Sequence, residues 1–281
     1  MLKKYIVTTE HAGPLVGTVA KLLNISKNKA KDLIDQKIVF VNGKKIWMAQ
    51  SPVLPRDTVE IKQSDQKSTK VKTNDKIKII YQDSDLIAIN KPAGIISVGE
   101  KNSAEHLIQQ QLKVKIFPLH RLDKDTSGVL IFAKNKEAET LITQMFKTRS
   151  LDKTYLALCH GKFPTKLIEI NQPIDGKTAR TFIKIISKNS KSSYLKINIE
   201  TGRTHQIRKH LNFVKFPLIG DKSYQLKSDL NEIDLIADRQ MLHAFSLSFI
   251  NPITKKQLNL KADIPNDFKV CVQKLGHNSL S

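Results

Sequence analysis

Residues 120–134 read HRLDKDTSGVLIFAK, a run of polar residues that leads directly into an apolar one. The apolar part, Gly128 to Ala133, has the length and composition of a buried β-strand. A polar loop that precedes such a strand is held rigidly, and loops on rigid scaffolds commonly carry active sites. Residues 120–127 are therefore the first place in this chain to look for chemistry.

Four interpretations of this loop compete. A calcium loop starting at Asp123 needs an acidic residue about twelve positions in, and Lys134 stands there instead. A metal site that joins His120 to a histidine of residues 201–210 (His205 or His210) matches no known ligand spacing. A serine triad built on Ser127 lacks the sequence of a nucleophile elbow. A purely structural turn stays open, because Asp and Ser cap turns routinely.

Two further polar segments supply candidate residues. In TGRTHQIRKH, residues 201–210, Arg208 follows Thr204 by one helical turn and can pair with a carboxylate in a cleft. The alternative is a helix N-terminus that Thr204 caps, with solvated basic side chains. In KTYLA, residues 153–157, the ring of Tyr155 can stack on a base while its hydroxyl stays polar. The alternative there is a core tyrosine.

Strands outnumber helices around these segments. The periodicity predicts helices over residues 103–113, 137–147 and 204–211. The predicted strands cover residues 76–81, 86–90, 128–133, 153–159, 180–186, 193–199 and 244–250. Strands with inserted helices indicate an α+β fold built on a mixed, largely antiparallel sheet.

A break in composition at residues 62–76 divides the chain. This stretch holds five lysines and few apolar residues, which is typical of a linker. It separates a small unit, residues 1–61, from a larger one, residues 77–281. We therefore predict two domains joined by a lysine-rich linker.

The small unit is expected to contain a basic helix and a hairpin. A helix follows Ser26, and IVFVNGKKI is typical of two strands joined by an Asn-Gly turn. Cations in the first turns of a helix oppose its dipole and so slightly lower the stability of the helix. Their presence there indicates a ligand that binds positive charge. A solvated lysine face is the alternative explanation. The lysines concerned are Lys27, Lys29 and Lys31.

The overall charge favours a polyanionic partner. The chain has 47 Lys and Arg against 26 Asp and Glu, a formal charge of +21, and phosphate contacts release counterions. A general bias of the sequence toward lysine explains part of this excess. Cys159 and Cys271 form no CxxC pair, so neither a zinc site nor a disulfide framework is indicated. With no apolar run long enough for a signal peptide or a membrane span, we expect a cytoplasmic protein.

Six motifs occur in the order seen in the RluA-type family of pseudouridine synthases, over roughly residues 77–265. They are DSDLIAINKPAG, HRLDKDTSGVLIFAK, KTYLAL, TGRTHQIRKHL, PLIGD and LHAFSLSFINP. Residues 13–61 resemble the small RNA-binding domain named after ribosomal protein S-four. This domain and the ending FKVCVQKL are similar to the RluC branch, which acts on 23S ribosomal RNA of the large subunit.

The resemblance implies a role for each motif residue. Asp123 corresponds to the nucleophile, and Arg121 is expected to help extrude the target base and occupy its place. Tyr155 is expected to stack on the uracil and assist proton transfer, and Arg208 to pair with Asp123. The implied RNA-binding residues of the small unit are Lys27, Lys29, Lys31 and Lys44.

The implied reaction needs no helper group. It exchanges a nitrogen–carbon glycosidic bond for a carbon–carbon one without redox change or hydrolysis, so we expect neither a cofactor nor a metal. We expect a monomer that binds RNA. One competing hypothesis is a non-catalytic RNA-binding or ribosome-assembly factor, which would lack the acid, the ring or the arginine. Another is a carboxylate glycosidase, which needs a second acid about 5–10 Å from Asp123; Asp125 is the nearby candidate.

Overall fold

The chain divides into two compact units, Met1–Lys70 and Val71–Ser281. The computed structural model describes the following residues: 2–35, 38–46, 48–62, 76–99, 101–224 and 236–278. Residues 63–75 of the predicted linker lie outside the described residues. The boundaries proposed for the two domains therefore stay a prediction.

The first unit packs helices against a small sheet. Its strands are β1 (Leu2–Ile6), β2 (Gly13–Pro14), β3 (Val39–Val41), β4 (Lys44–Lys45), β5 (Pro52–Val53) and β6 (Thr58–Lys62). Its helices are α1 (Leu15–Leu23) and α2 (Lys27–Asp35). The sheet has the order β1-β6-β3-β4, and β2 pairs with β5 separately. Buried Leu15, Val19, Ile34 and Val59 join helices and sheet in one apolar core.

The predicted hairpin of the first unit is confirmed. Strands β3 and β4 pair antiparallel across Asn42 and Gly43, which have φ angles of 50° and 75°. A two-residue turn with both central residues at positive φ favours Asn-Gly, because these residues tolerate that conformation best. The Asn42 side chain also donates to Asp57 and accepts from the backbone N–H of Thr58. The turn is thereby tied to β6.

The second unit is built on one large sheet. Its strands are β7 (Ile79–Gln82), β8 (Leu86–Lys91), β9 (Phe117–Pro118), β10 (Ser127–Ala133), β11 (Asp152–His160), β12 (Glu169–Ile170), β13 (Thr181–Lys188), β14 (Ser192–Ile199), β15 (Leu242–Ile250) and β16 (Gln257–Lys261). Its helices are α3 (Ala104–Leu112), α4 (Lys136–Thr148), α5 (Gln206–Phe213) and α6 (Asn266–Lys274).

The order of this sheet is β12-β13-β14-β11-β15-β10-β8-β7, with β16 on β15 and β9 on β10. Among the described strand pairs, β10 and β15 run parallel and the others antiparallel. The predicted α+β fold with a mixed, largely antiparallel sheet is confirmed. Within the described stretches, no helix is both long and apolar enough to cross a bilayer.

Two predicted boundaries are wrong for identifiable reasons. The strand predicted from residue 76 begins at Ile79, because the backbone N–H of Ile77 donates instead to Oε1 of Gln111 on α3. The helix predicted over residues 204–211 begins at Gln206, after a left-handed residue. At Ile77 a side chain of α3 takes the backbone N–H that a longer strand would have used, and before α5 the side chain of Gln206 itself accepts from the N–H of Arg203.

The parallel contact between β10 and β15 positions the polar loop, residues 120–126, which we call the HRLD loop. Gly128 lies opposite Ala244 and has φ +120°. A Cβ atom on Gly128 would lie 2.1 Å from the Ala244 carbonyl oxygen, so only glycine fits. On the other side of β15, Tyr155 also pairs with Ala244, next to a register shift at Thr154. The HRLD loop and Tyr155 therefore flank the same residue of β15.

Candidate active site

The HRLD loop lines a cleft of about 1200 Å³ in the second unit. The four residues predicted to carry chemistry, Arg121, Asp123, Tyr155 and Arg208, all line this cleft. They come from the HRLD loop, β11 and α5, which are far apart in the sequence. The fold therefore brings the predicted catalytic residues to one place.

Arg208 connects two carboxylates. Its Nη1 donates to Oδ2 of Asp123 at 3.1 Å. On its other side, Nε and Nη2 donate to the two carboxylate oxygens of Asp221 at 2.7 and 2.9 Å. Asp221 is fully buried, and the guanidinium carbon lies 4.9 Å from the centre of the Tyr224 ring. A bidentate pair fixes the plane of the guanidinium, so a single edge of Arg208 faces Asp123.

The environment keeps Arg208 charged. Burial acts to lower the pKa of Arg208, but its hydrogen bonds and charge contacts with Asp221 and Asp123 raise it above the ordinary value. Because one arginine meets two carboxylates, its positive charge is already balanced by the buried one. Asp123 thus gains a hydrogen-bond donor that orients it.

His205 is a second neighbour of Asp123. Its Nε2 lies 3.8 Å from Oδ1 of Asp123, and its Nδ1 lies 3.0 Å from the hydroxyl of Tyr224. His205 has φ 56° and makes no side-chain cap to α5. The alternative in which Thr204 caps this helix is therefore wrong. His205 lines the cleft.

Tyr155 faces the cleft from β11. Burial, together with the nearby charge of Asp123, raises the pKa of Tyr155 well above its ordinary value. Its hydroxyl is therefore protonated at neutral pH. Arg121, by contrast, is exposed at the rim of the cleft. A half-buried ring beside a carboxylate suits stacking, and an exposed arginine is free to change position.

Buried groups hold the backbone of the HRLD loop. The Ser97 hydroxyl donates to the Leu122 carbonyl at 2.7 Å and accepts from the Leu122 N–H at 2.9 Å. Lys91 is fully buried, and its Nζ donates to the Lys124 carbonyl and to two carbonyls of residues 92–95. Burial, and then the charge of Arg239, lowers the pKa of Lys91 to about 7. The loop is thus preorganised before any ligand binds.

The cleft carries a strong excess of positive charge. Burial, and then the neighbouring Arg149, lowers the pKa of Lys153 to about 8. Packing like charges together costs free energy that a polyanionic ligand recovers. The acidic residues of the lining are Asp123, Asp125 and Glu200. The lysines and arginines of the lining are Arg121, Lys124, Lys147, Arg149, Lys153, Arg203, Arg208, Lys222 and Arg239.

The histidines considered as metal ligands serve other purposes. His120 accepts from the Ile131 N–H and stacks on Phe146, and burial lowers the pKa of His120 to about 3. His210 contacts the Thr181 hydroxyl inside the fold. In the part of the chain that the structure describes, no group of three His, Cys, Asp or Glu residues could hold a metal.

The serine-triad alternative also loses support. Ser127 does contact a histidine, with its Oγ 2.9 Å from Nδ1 of His243. Both residues are buried, at 1% and 0% exposure, so no substrate can reach the hydroxyl. Burial lowers the pKa of His243 to about 4. This pair supports the junction of β10 and β15.

The predicted RNA-binding lysines lie in the first unit. Lys27 and Lys31 are exposed on α2, and Lys44 is exposed on β4. The side chain of Lys29 lies outside the described residues. Exposure is what a binding surface and a solvated face both require, so the role of these lysines stays a prediction.

Sequence reasoning missed several supporting residues. Asp221 and Lys91 lie within quoted motifs, PLIGD and DSDLIAINKPAG, but no role was assigned to them. Arg239 and His205 were not singled out as neighbours of the loop. A buried lysine or aspartate has no local signature, because its partners come from distant segments.

Comparisons with known proteins identify relatives of this chain. The family model described as RNA pseudouridylate synthase matches residues 85–213, which include the HRLD loop, Tyr155 and Arg208. An uncharacterized RNA pseudouridine synthase of Mycoplasma pneumoniae is 33% identical, and the match covers 95% of this chain and 94% of the relative.

Two further matches extend this result. A ribosomal large subunit pseudouridine synthase D of Blochmanniella floridana is 30% identical, with 95% of this chain and 96% of the relative covered. The solved structure of human RNA pseudouridylate synthase domain containing 4 aligns with a TM-score of 0.59 at 25% identity. That alignment covers 70% of this chain and 92% of the human one.

Proposed function

Because the chain belongs to the RluA family of RNA pseudouridine synthases, we propose that Asp123 is the nucleophile with which this enzyme isomerises uridine. The strongest support is the position of its carboxylate. Asp123 lies in a basic cleft, 3.1 Å from an arginine that a buried aspartate holds in place. Tyr155 lines the same cleft.

The reaction explains why such a carboxylate is needed. The bond from C1′ to N1 of uracil breaks, the base turns, and a bond from C1′ to C5 forms. The C5 hydrogen leaves as a proton, and N1 gains one, so the product is an isomer. A held carboxylate and a pocket that excludes water favour these steps over loss of the base.

The other cleft residues fit supporting roles. Flipping a uridine out of its stack costs about a few kcal/mol, and the exposed Arg121 is suited to filling the vacated space. The ring of Tyr155 stacks on the uracil, and its protonated hydroxyl assists proton transfer. Arg208 orients Asp123 rather than reacting itself.

The competing hypotheses fit the cleft less well. A non-catalytic RNA-binding factor would lack the acid, the ring or the arginine, yet all three line one cleft. A glycosidase would use Asp125 as its second acid, but the excess of basic residues suits phosphates better than a neutral sugar. Release of free uracil would support the glycosidase hypothesis. Retention of the base in the RNA would support the synthase.

We also propose that the substrate is 23S ribosomal RNA of the large subunit. The relative from Blochmanniella floridana carries that substrate class in its name, and the exposed lysines of α2 and β4 suit structured RNA. Residues 1–61 would act as an S-four-type RNA-binding domain, joined by residues 62–76 to the catalytic domain, residues 77–281. The RluC branch, the monomeric state and the cytoplasmic location stay predictions.

Asp123→Asn tests the nucleophile. RNA carrying tritium at C5 of uridine releases it when the new carbon–carbon bond forms, so release reports the reaction. We expect release to fall on the order of 10⁴-fold or more, with RNA affinity nearly unchanged. Asp125→Asn is the matched control and should retain most activity. Near-normal turnover of Asp123→Asn would refute the assignment.

The substrate is tested in cells. Pseudouridines in 23S ribosomal RNA and transfer RNA are mapped with and without the gene, then after its return. We expect specific pseudouridines of 23S ribosomal RNA to disappear and to be restored by the wild-type gene but not by Asp123→Asn. Loss of pseudouridines from transfer RNA alone would contradict the proposed substrate.

A further inference from the structure

We propose that Arg239 and Asp267 form a clamp that positions the HRLD loop, so that helix α6 contributes to the placement of Asp123. The inference rests on the proposed role of Asp123, because the clamp matters through that residue. Arg239 touches the loop that carries Asp123, and Asp267 touches Arg239. Both are therefore positioning residues.

The outer half of the clamp is a bidentate ion pair. Arg239 is 8% exposed, and its Nε and Nη2 donate to the two carboxylate oxygens of Asp267 at 2.6 and 3.1 Å. Asp267 lies in the first turn of α6. Burial acts to raise the pKa of Asp267, but the hydrogen bonds and charge of Arg239 lower it. The carboxylate is thus held in its ionised form.

The inner half of the clamp reaches the catalytic loop. Nη1 of Arg239 donates to the Asp125 carbonyl at 3.0 Å and to the carbonyls of Gln240 and Leu242. Its Nη2 lies 3.4 Å from Oγ of Ser127, the first residue of β10. One guanidinium therefore ties the HRLD loop to the start of β15 and to β10.

A second buried cation holds the neighbouring peptide. Lys91 donates to the Lys124 carbonyl, and Arg239 to the Asp125 carbonyl, so adjacent carbonyls each meet a cation. These cations repel each other, since the charge of Arg239 helps lower the pKa of Lys91. Burying the amine of Lys91 beside the charge of Arg239 costs stability that two neutral donors would not. This cost is explained if the reaction requires the carbonyls of Lys124 and Asp125 to stay fixed.

Packing far from the cleft sets the position of α6. Phe268, Cys271 and Val272 of α6 are buried in one apolar cluster with Leu158 and Tyr194 of the sheet. The sheet therefore positions Asp267, Asp267 positions Arg239, and Arg239 positions the HRLD loop. A shift of about 1 Å at a reacting group can cost roughly 10²-fold in rate. Loosening the clamp should thus slow the reaction without weakening RNA binding.

Asp267→Asn is the decisive variant, because it keeps the shape and removes the charge. The matched control is Glu169→Gln, whose carboxylate accepts from Nε of Arg180 at 2.9 Å, away from the loop. Both acids are partly exposed, at 51% and 32%. We expect Asp267→Asn to lower kcat for tritium release about tenfold, with KM and RNA affinity unchanged, and Glu169→Gln to stay within about twofold of wild type.

Hydrogen exchange gives an independent readout. The backbone amides of residues 121–127 should exchange several-fold faster in Asp267→Asn than in wild type or Glu169→Gln, measured well below the unfolding temperature. If Asp267→Asn does not fold, Asp267→Glu keeps the charge but displaces Arg239. That variant should then show the lowered kcat and faster loop exchange.

Two results would overturn the clamp. One is a folded Asp267 variant with normal kcat and normal loop exchange but a lower Tm, which means a purely structural pair. The other is a raised KM at unchanged kcat, which means an RNA contact. Failure of the proposed nucleophile is a separate outcome. An active Asp123→Asn enzyme would refute the role of Asp123, but it would not change the hydrogen exchange measured for the HRLD loop in the Asp267 variants.

Discussion

The HRLD loop and the basic face of α2 hold their candidate functional side chains in opposite ways. Asp123 is contacted by Arg208, which Asp221 holds from a fully buried position. Lys27 and Lys31 are exposed to solvent. Chemistry requires atoms placed within fractions of an ångström, whereas attraction to phosphates requires charge at roughly the right distance. Substitutions at and around the HRLD loop should therefore alter turnover and stability. Substitutions on the basic face of α2 should alter the affinity for RNA and its salt dependence.

After Asp123→Asn itself, the largest effect should follow from Asp221→Asn. Losing the buried carboxylate leaves Arg208 without its bidentate partner, which should cost about 3 kcal/mol of unfolding free energy. Since Arg208 then no longer orients Asp123, we expect kcat to fall roughly 10³-fold. Denaturant unfolding and tritium release measure the two effects.

Asp175→Asn is the matched control for Asp221→Asn. Asp175 pairs with Lys209, the neighbour of Arg208 on α5, but it is 72% exposed. An exposed ion pair contributes about 0–1 kcal/mol, so this variant should resemble wild type. Equal losses of stability and kcat in the two variants would mean that burial of the carboxylate does not explain the effect of Asp221→Asn.

Tyr155→Phe should have the next largest effect. The phenyl ring keeps the stacking surface, but the protonated hydroxyl beside Asp123 is lost. We expect kcat to fall on the order of 10²-fold, as for loss of a proton-transfer group, while RNA affinity stays near wild type. Tyr155→Leu should weaken both. If Tyr155→Phe turned over at the wild-type rate, the hydroxyl would have no role in proton transfer.

The lysines of the first unit should change affinity and not turnover. Replacing Lys27, Lys31 and Lys44 together by Gln should weaken binding of 23S ribosomal RNA about tenfold at 0.1 M salt. The plot of log affinity against log salt should become less steep by about one per lost phosphate contact. Turnover at saturating RNA should not change.

The control replaces three exposed lysines of the second unit outside the cleft lining, Lys166, Lys184 and Lys196. Both triple variants lose three positive charges, so they separate a specific surface from total charge. Similar weakening in both would leave a solvated lysine face as the better explanation of α2. Removing residues 1–61 should weaken RNA binding more than replacing the three lysines of α2 and β4 does.

The smallest expected effect is the pH dependence of stability that arises from His120 in the HRLD loop and from His243. Burial lowers the pKa values of His120 and His243 to about 3 and about 4. The unfolded chain therefore binds more protons than the native one below pH 6.5, so stability decreases as pH falls from 6.5 toward 4. We expect a loss on the order of 1 kcal/mol per histidine by pH 5.

Thermal unfolding of His120→Gln against wild type between pH 7 and 5 checks this. The variant should be less stable at pH 7 but should lose less stability on acidification. Parallel pH profiles for variant and wild type would show that His120 is not responsible.

Local patterns predicted the secondary structure closely where neighbours decide it. Helix α3 begins after Ser103, whose side chain accepts from the N–H of His106, and α4 begins after Asn135, which caps it in the same way. The Asn42-Gly43 turn formed as predicted. The start of α5 was mispredicted because Gln206 Oε1 accepts from Thr201 and Arg203, and this turn replaces a helical one.

The candidate site was predicted in its motif residues and missed in its supports. Asp123, Tyr155 and Arg208 follow from ordered motifs, and Arg208 meets Asp123 across 85 residues. Asp221, Lys91 and Arg239 were missed, because nothing near them in the chain indicates that Asp221 would be buried against Arg208, or Lys91 and Arg239 against the HRLD loop.

By itself, the sequence determined the α+β class, most helix and strand positions, the hairpin turn and the choice of candidate residues for the site. These depend on local propensity, on periodic burial and on ordered motifs. Tertiary structure alone decided which carboxylate balances Arg208 and which buried cations hold the carbonyls of residues 124 and 125. These contacts join residues 13, 33 and 114 positions apart, and their strength depends on removal from water, which only the packed fold brings about.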